Sequence, residues 1–173
     1  EGSTTNPRKR GKHHHGGTRA RTRFFHALSS DNFDSELDLQ KQAMDLNVQL
    51  AGGYRAIVLT LLQGKAQAER GAEMLLEATS SVELPALCLT HIADPTTLLV
   101  LWPDGGPRAE AMIAQLQAEC DLRWSGRAKP VVRAGLGSFH PGLHGVSRSY
   151  LEAQQAIDLG RRLRPEGGAH DYD

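Results

Sequence analysis

Aromatic residues are scarce: Phe, Trp and Tyr together make up 5% of the 173 residues. The core must therefore be filled by Leu, Val, Ile and Ala. An apolar content of 39% is enough for one ordinary domain with tails. Cysteine is nearly absent as well. Cys88 falls in an apolar strand and Cys120 near a helix end, so buried thiols are expected rather than a disulfide. No apolar run approaches the ~20 residues of a membrane span. No basic segment leads into an apolar stretch in the manner of a signal peptide. A soluble protein of the reducing cytoplasm is the expectation.

Net charge is also missing, but only because two unlike parts cancel. Residues 1–23 carry Arg8, Lys9, Arg10, Lys12, Arg19, Arg21 and Arg23 against Glu1 alone. The remainder holds 13 basic and 19 acidic residues, a formal charge of −6. Nucleic-acid affinity rests largely on Lys and Arg meeting phosphates, so an acidic body is a poor polyanion binder. The basic run reads as a solvated linker.

Organisation is clearer than chemistry. Residues 1–18 lack apolar periodicity and are rich in charge, Gly and His, which suits a disordered basic linker or tag. Residues 19–50 read as an N-terminal helical segment. A short helix from Arg19 carries Phe24, Phe25 and Leu28, and a second, capped by Asp34, runs to about Leu46 with Leu37, Met44 and Leu46 on its apolar side. Phe24, Phe25, Leu28 and Phe33 stand outside the later alternation and mark a candidate homodimer contact.

Residues 51–173 alternate. Strands are expected at 54–62, 86–92, 97–102, 130–137 and 169–172, and helices at 65–80, 107–120 and 146–163. Apolar faces run through Ala68, Ala72, Leu75 and Thr79, then Ala109, Ile113, Leu116 and Cys120. The order β-α-β-β-α-β-α-β predicts an α+β fold, a ferredoxin-like mixed sheet with helices packed on it.

The densest signal is residues 135–161. Gly135, Gly137, Pro141, Gly142 and Gly145 read as a glycine-rich turn, and Val146, Tyr150, Ala153, Ile157 and Gly160 then mark one helix face. This strand, loop and helix, with Ser147-Arg148-Ser149-Tyr150 and Glu152-Ala153, resembles the GGDEF-like middle domain of CdaR/PucR-type bacterial transcriptional regulators. The segments 24–34, 43–50 and 54–59 resemble the same domain, so the likeness spans about residues 20–173. It implies a degenerate GGDEF-like domain over residues 51–173. Regulators of this kind continue into a C-terminal helix-turn-helix, so the chain reads as an excised domain.

An active cyclase of that fold would need a Gly-Gly-Asp/Glu-Glu-Phe turn between the paired strands. The turn here is Ala93-Asp94-Pro95-Thr96, with one acid and no glycine pair. A second metal-binding carboxylate would come from the end of the first strand, where Leu61, Leu62, Gln63 and Gly64 stand, followed by Lys65. Mg²⁺ on a phosphate needs one or two carboxylates, so no enzyme activity is expected.

Other chemistry fares no better. His13, His14 and His15 lie in the tail and offer no fixed geometry. Cys88 and His91 point to opposite faces of a strand. His140 and His144 read as a solvated loop pair without a cysteine or carboxylate between them. Gly135-Leu-Gly-Ser-Phe lacks the last glycine of a nucleophile elbow, and no Lys-Ser/Thr follows it as in a phosphate loop. The central strands offer only Trp102 for stacking RNA bases.

No catalytic or metal residue is assigned, cofactor-binding residues stay open and no cofactor is expected. The resemblance implies a non-catalytic domain coupling a sensor to a helix-turn-helix, with a homodimer and those flanking domains as partners. DNA would be met only through the helix-turn-helix, and no membrane is involved. The alternative is a small-molecule or nucleotide sensor using the former nucleotide cleft.

Overall fold

The computed structural model describes residues 14–124, 126 and 128–172, with side chains from Thr18 onward. Its helices are α1 (His14–Ser30), α2 (Glu36–Asp45), α3 (Gly71–Thr79), α4 (Ala109–Arg123) and α5 (Gly145–Leu163). Its strands are β1 (Tyr54–Gln63), β2 (Ala66–Gln67), β3 (Leu89–Asp94), β4 (Thr97–Pro103), β5 (Pro130–Leu136) and β6 (Gly168–Asp171). They form one mixed sheet in the order β3-β4-β1-β5-β6, with β2 folded back on β1. Every pairing is antiparallel except β5 with β6. The expected α+β, ferredoxin-like arrangement is therefore the observed one.

Both faces of the sheet are covered, and the strand period of two decides which residue goes where. Ile57, Leu59 and Leu61 of β1 join Leu75, Leu98, Val100, Met112 and Leu116 under α3 and α4. Tyr54, Ala56 and Val58 join Phe24, Phe25, Leu28, Leu39, Leu99, Leu101 and Ile157 under α1, α2 and α5. Strands buried on both sides read as continuous apolar runs, which is how 54–62 looks. Phe24, Phe25 and Leu28 are each 1% exposed. They cover the sheet and are not available as a dimer contact.

Several expectations need correction. α1 starts at His14, inside the expected linker 1–18, while residues 1–13, and His13 with them, lie outside the described residues. The cap of α2 is Ser35, whose hydroxyl accepts from the Asp38 N–H at 3.2 Å, in place of Asp34. Leu39 and Ala43 form its buried side, and Leu37 and Met44 face outward. The expected helix from residue 65 starts only at Gly71. Gly64, at φ +65°, turns the chain sharply so that Gln63 pairs with Ala66 in a tight hairpin.

Gly135 is not a turn residue. It lies inside β5, where an added Cβ would stand 2.1 Å from the Ala153 carbonyl oxygen. At Gly137 the same atom would lie 1.9 Å from the Ser149 oxygen. The two glycines let the backbone of α5 lie directly on the sheet. Arg133, on the same strand, donates to the carbonyls of Arg164 and Pro165 at the C-terminal end of α5, where a cation suits the helix dipole.

Candidate functional site

Two polar loops lie toward opposite ends of β1. The first is the hairpin turn between β3 and β4, beside Thr60, which pairs with Thr97. Pro95 and Thr96 fill it. The Asp94 carboxylate accepts from the Thr96 N–H at 2.9 Å and the Thr96 hydroxyl at 2.8 Å. Burial pushes that carboxyl up, but hydrogen bonds from Thr96 and Thr97 outweigh it and hold the group below its ordinary pKa. The Pro95 carbonyl accepts from the Ala72 N–H at 3.1 Å, so it satisfies one free donor in the first turn of α3. The turn's polar groups are thus spent on the protein itself.

The end of β1 adds no carboxylate. Leu61 and Leu62 are buried, and the Leu61 carbonyl accepts from Ala68 at 2.8 Å. No cluster of three His, Cys, Asp or Glu able to hold a metal occurs among the described residues. A divalent cation with a nucleoside triphosphate does not fit this donor set: the turn supplies one carboxylate, already engaged, and the end of β1 a neutral Gln63 followed by a cationic Lys65.

The second loop, residues 137–144, is far more heavily wired. Glu152 is 6% exposed on the inner side of α5. Its carboxylate accepts from the Ser138 N–H at 2.9 Å, stands 2.9 Å from His140 Nε2 and lies 3.4 Å from Arg148 Nε. Burial raises its pKa, yet the Ser138 and His140 hydrogen bonds and the charges of His140 and Arg148 bring it below the ordinary value. One helical turn earlier, the buried Ser149 hydroxyl accepts from the Ala56 N–H at 2.8 Å. Arg55 Nε donates to the Gly137 carbonyl at 2.5 Å and its other end pairs with Asp171.

The same loop holds the N-terminal helices. Glu36 accepts from the Leu143 N–H at 2.8 Å. His144 Nδ1 lies 2.5 Å from Asp31 Oδ1, and its ring stacks on Phe33 with centroids 4.3 Å apart. His140 and His144 are therefore not a bare solvated pair. Each is held by a carboxylate from elsewhere in the chain, a feature that local spacing could not show. Glu152 and Ser149 did carry a signal: both are polar residues on the buried side of α5, beside Val146, Ala153 and Ile157.

The remaining candidates separate. Cys88 packs against the α3–α4 core, while His91 stacks on Phe25 on the other face at 4.4 Å. Both thiols are free, and burial raises their pKa, to about 12 for Cys88 and about 11 for Cys120. Trp102 is buried and donates to the Pro107 carbonyl at 2.8 Å, so it is no stacking platform. His14 and His15 lie on the first turn of α1. No helix among the described residues is long and apolar enough to cross a membrane.

A family model for the GGDEF-like domain matches residues 30–159. The chain belongs to the GGDEF-like domain family. The match runs from the last residue of α1 into α5 and takes in both loops. The GGDEF-like family is a non-canonical variant of the cyclase fold, in keeping with a hairpin turn that lacks the glycine pair and second acid. No curated protein matches the chain.

Proposed function

We propose that this GGDEF-like domain is non-catalytic and serves in a bacterial transcriptional regulator of the CdaR/PucR type, where it couples an upstream sensor to a downstream helix-turn-helix. The observation that carries the reading is the state of Asp94. It is the sole carboxylate in the sequence of the hairpin turn, and the hydrogen bonds it accepts come from Thr96 and Thr97 of the same hairpin. Phosphoryl transfer depends on positioning and metal neutralisation, which one engaged carboxylate does not supply. The general shape of a fold does not replace the ligands.

The coupling role is supported at the other end of the sheet. Asp31, Phe33 and Glu36 tie the N-terminal helices to the loop that opens α5. A displacement arriving through α1 and α2 therefore bears first on the start of α5. Coupling of this kind needs two arrangements that the signal stabilises unequally. DNA contact is assigned to the helix-turn-helix, because the body carries an excess of acidic residues.

Incubation with GTP and Mg²⁺ or Mn²⁺, followed by chromatography, tests the proposal. The expected result is no cyclic dinucleotide above a protein-free blank. A protein-dependent cyclic product overturns it.

A further inference from the structure

A cavity of about 240 Å³ lies between the flank of α1, the edge strand β3 and the first turns of α5. It is on the face of the sheet opposite α3 and α4. Phe25 and Leu99, both members of the buried cluster on that face, give it an apolar floor. Its walls carry no Asp, Glu, Lys or Arg. That composition, an apolar base with a few polar groups around it, is the usual make-up of a small-molecule pocket.

The polar groups have a definite sense. Thr22, Ser29 and Ser30 project from α1, and each hydroxyl donates to a carbonyl of its own helix, Thr22 to Thr18 and both serines to His26. What remains on these oxygens is lone pairs, so this wall accepts hydrogen bonds. Tyr150 and His91 close the other side. Burial raises the Tyr150 pKa, with Asp94 adding to it, so the phenol keeps its proton. Burial, with Arg21 nearby, lowers that of His91, so its ring is neutral.

The nearby charges are already engaged, Arg21 by the Thr90 carbonyl and Asp94 by Thr96, so a charged guest would lose its water without meeting a free counter-charge. A purely apolar guest would strip water from the hydroxyl lone pairs and offer them no donor in return. We propose that this cavity binds a small neutral polyhydroxylated molecule, a polyol or simple sugar, whose hydroxyls donate to Thr22, Ser29 and Ser30 while its C–H surface rests on Phe25 and Leu99. Of the cyclase-like turn only Ala93 lines the cavity, Asp94 does not, and the site does not depend on the coupling role.

The test titrates the protein with erythritol, xylitol, myo-inositol and glucose, with gluconate as the charged control, by ligand-observed NMR. Saturable binding of at least one neutral probe is expected, with none for gluconate over the same range. Tyr150→Phe removes a hydroxyl from the wall and is expected to weaken that binding by roughly tenfold. Ser29→Trp fills the cavity and abolishes it. His26→Trp, at an exposed rim position, is a second filling variant should the first fail to fold by circular dichroism. The proposal is overturned if none of the four neutral probes saturates, if a folded filling variant binds as well as the parent, or if gluconate binds equally.

Discussion

The turn after β3 and the loop before α5 contain similar raw material, a few acids, hydroxyls and backbone amides, and use it in opposite ways. At the turn, Asp94 and Thr96 bond to each other across two residues. At the loop, Glu152, Asp31 and Glu36 reach across 12 to 113 positions of the chain to hold Ser138, His140, His144 and Leu143. The turn's carboxylate is spent within the hairpin, and its Pro95 carbonyl reaches to the first turn of α3 alone. A set of long-range bonds makes the position of one helix depend on two others. The difference places the domain's polar investment at the α5 end of the sheet rather than at the hairpin where a cyclase would need it.

The largest effect should come from the backbone approach on which the loop is built. Gly137→Ala puts a methyl group 1.9 Å from the Ser149 carbonyl oxygen, forcing α5 off the sheet. A loss of about 3 kcal/mol in urea unfolding is expected, at the upper end of overpacking costs. Gly105→Ala tests the contrast with crowding removed, since nothing lies within 4 Å of its added Cβ and only the φ of +72° resists the change. Its cost should be about 1 kcal/mol.

Next is Glu152. Glu152→Ala leaves the Ser138 N–H and His140 without their acceptor, and a loss of about 2 kcal/mol is expected. The pH dependence carries the same information. The folded carboxyl lies below its ordinary 4.5, so its contribution is present above that value and is lost as pH falls through the folded pKa. The acid limb of the stability curve should therefore be flatter in Glu152→Gln than in the parent.

Much of the fold was legible in the sequence, because strand and helix periods report burial directly. The βαββαβ order and the faces Ala72, Leu75, Ala109, Ile113 and Leu116 follow from spacing alone. The N-terminal helices were misread as peripheral, since Phe24 and Phe25 look like an isolated patch until the second face of the sheet is seen to need a cover. The β2 hairpin was hidden because Lys65 to Gln67 is too short to show any period. The loop network was illegible for another reason: its partners lie far apart in the chain, and no local motif encodes the pairing of His144 with Asp31.

A smaller effect distinguishes the α1 edge. His91 and His170 both titrate below the ordinary 6.5 of imidazole, each through burial first, with Arg21 adding to the shift at His91 and Arg164 and Arg133 at His170. Between the unfolded and folded values the unfolded chain binds more protons, so stability falls as pH drops below 6.5. His91→Phe keeps a ring against Phe25 and removes one titration. Its urea midpoint should vary less over that range than the parent's.

The smallest effect is expected at the turn itself. Asp94→Ala removes the local hydrogen bonds from Thr96 and Thr97 at an exposed position and should cost about 1 kcal/mol or less. Thermal melting would show a shift of a few degrees at most, in line with that small free-energy change.

The most direct test puts the two loops against each other in the proposed regulator. Asp94→Ala and the pair His144→Ala and Glu36→Ala are compared in a transcriptional reporter, with each variant's fold checked by circular dichroism. The account predicts that Asp94→Ala responds to signal like the parent, while the loop variants stay folded and lose the link between signal and output. A silent Asp94→Ala regulator beside fully responsive loop variants would contradict it.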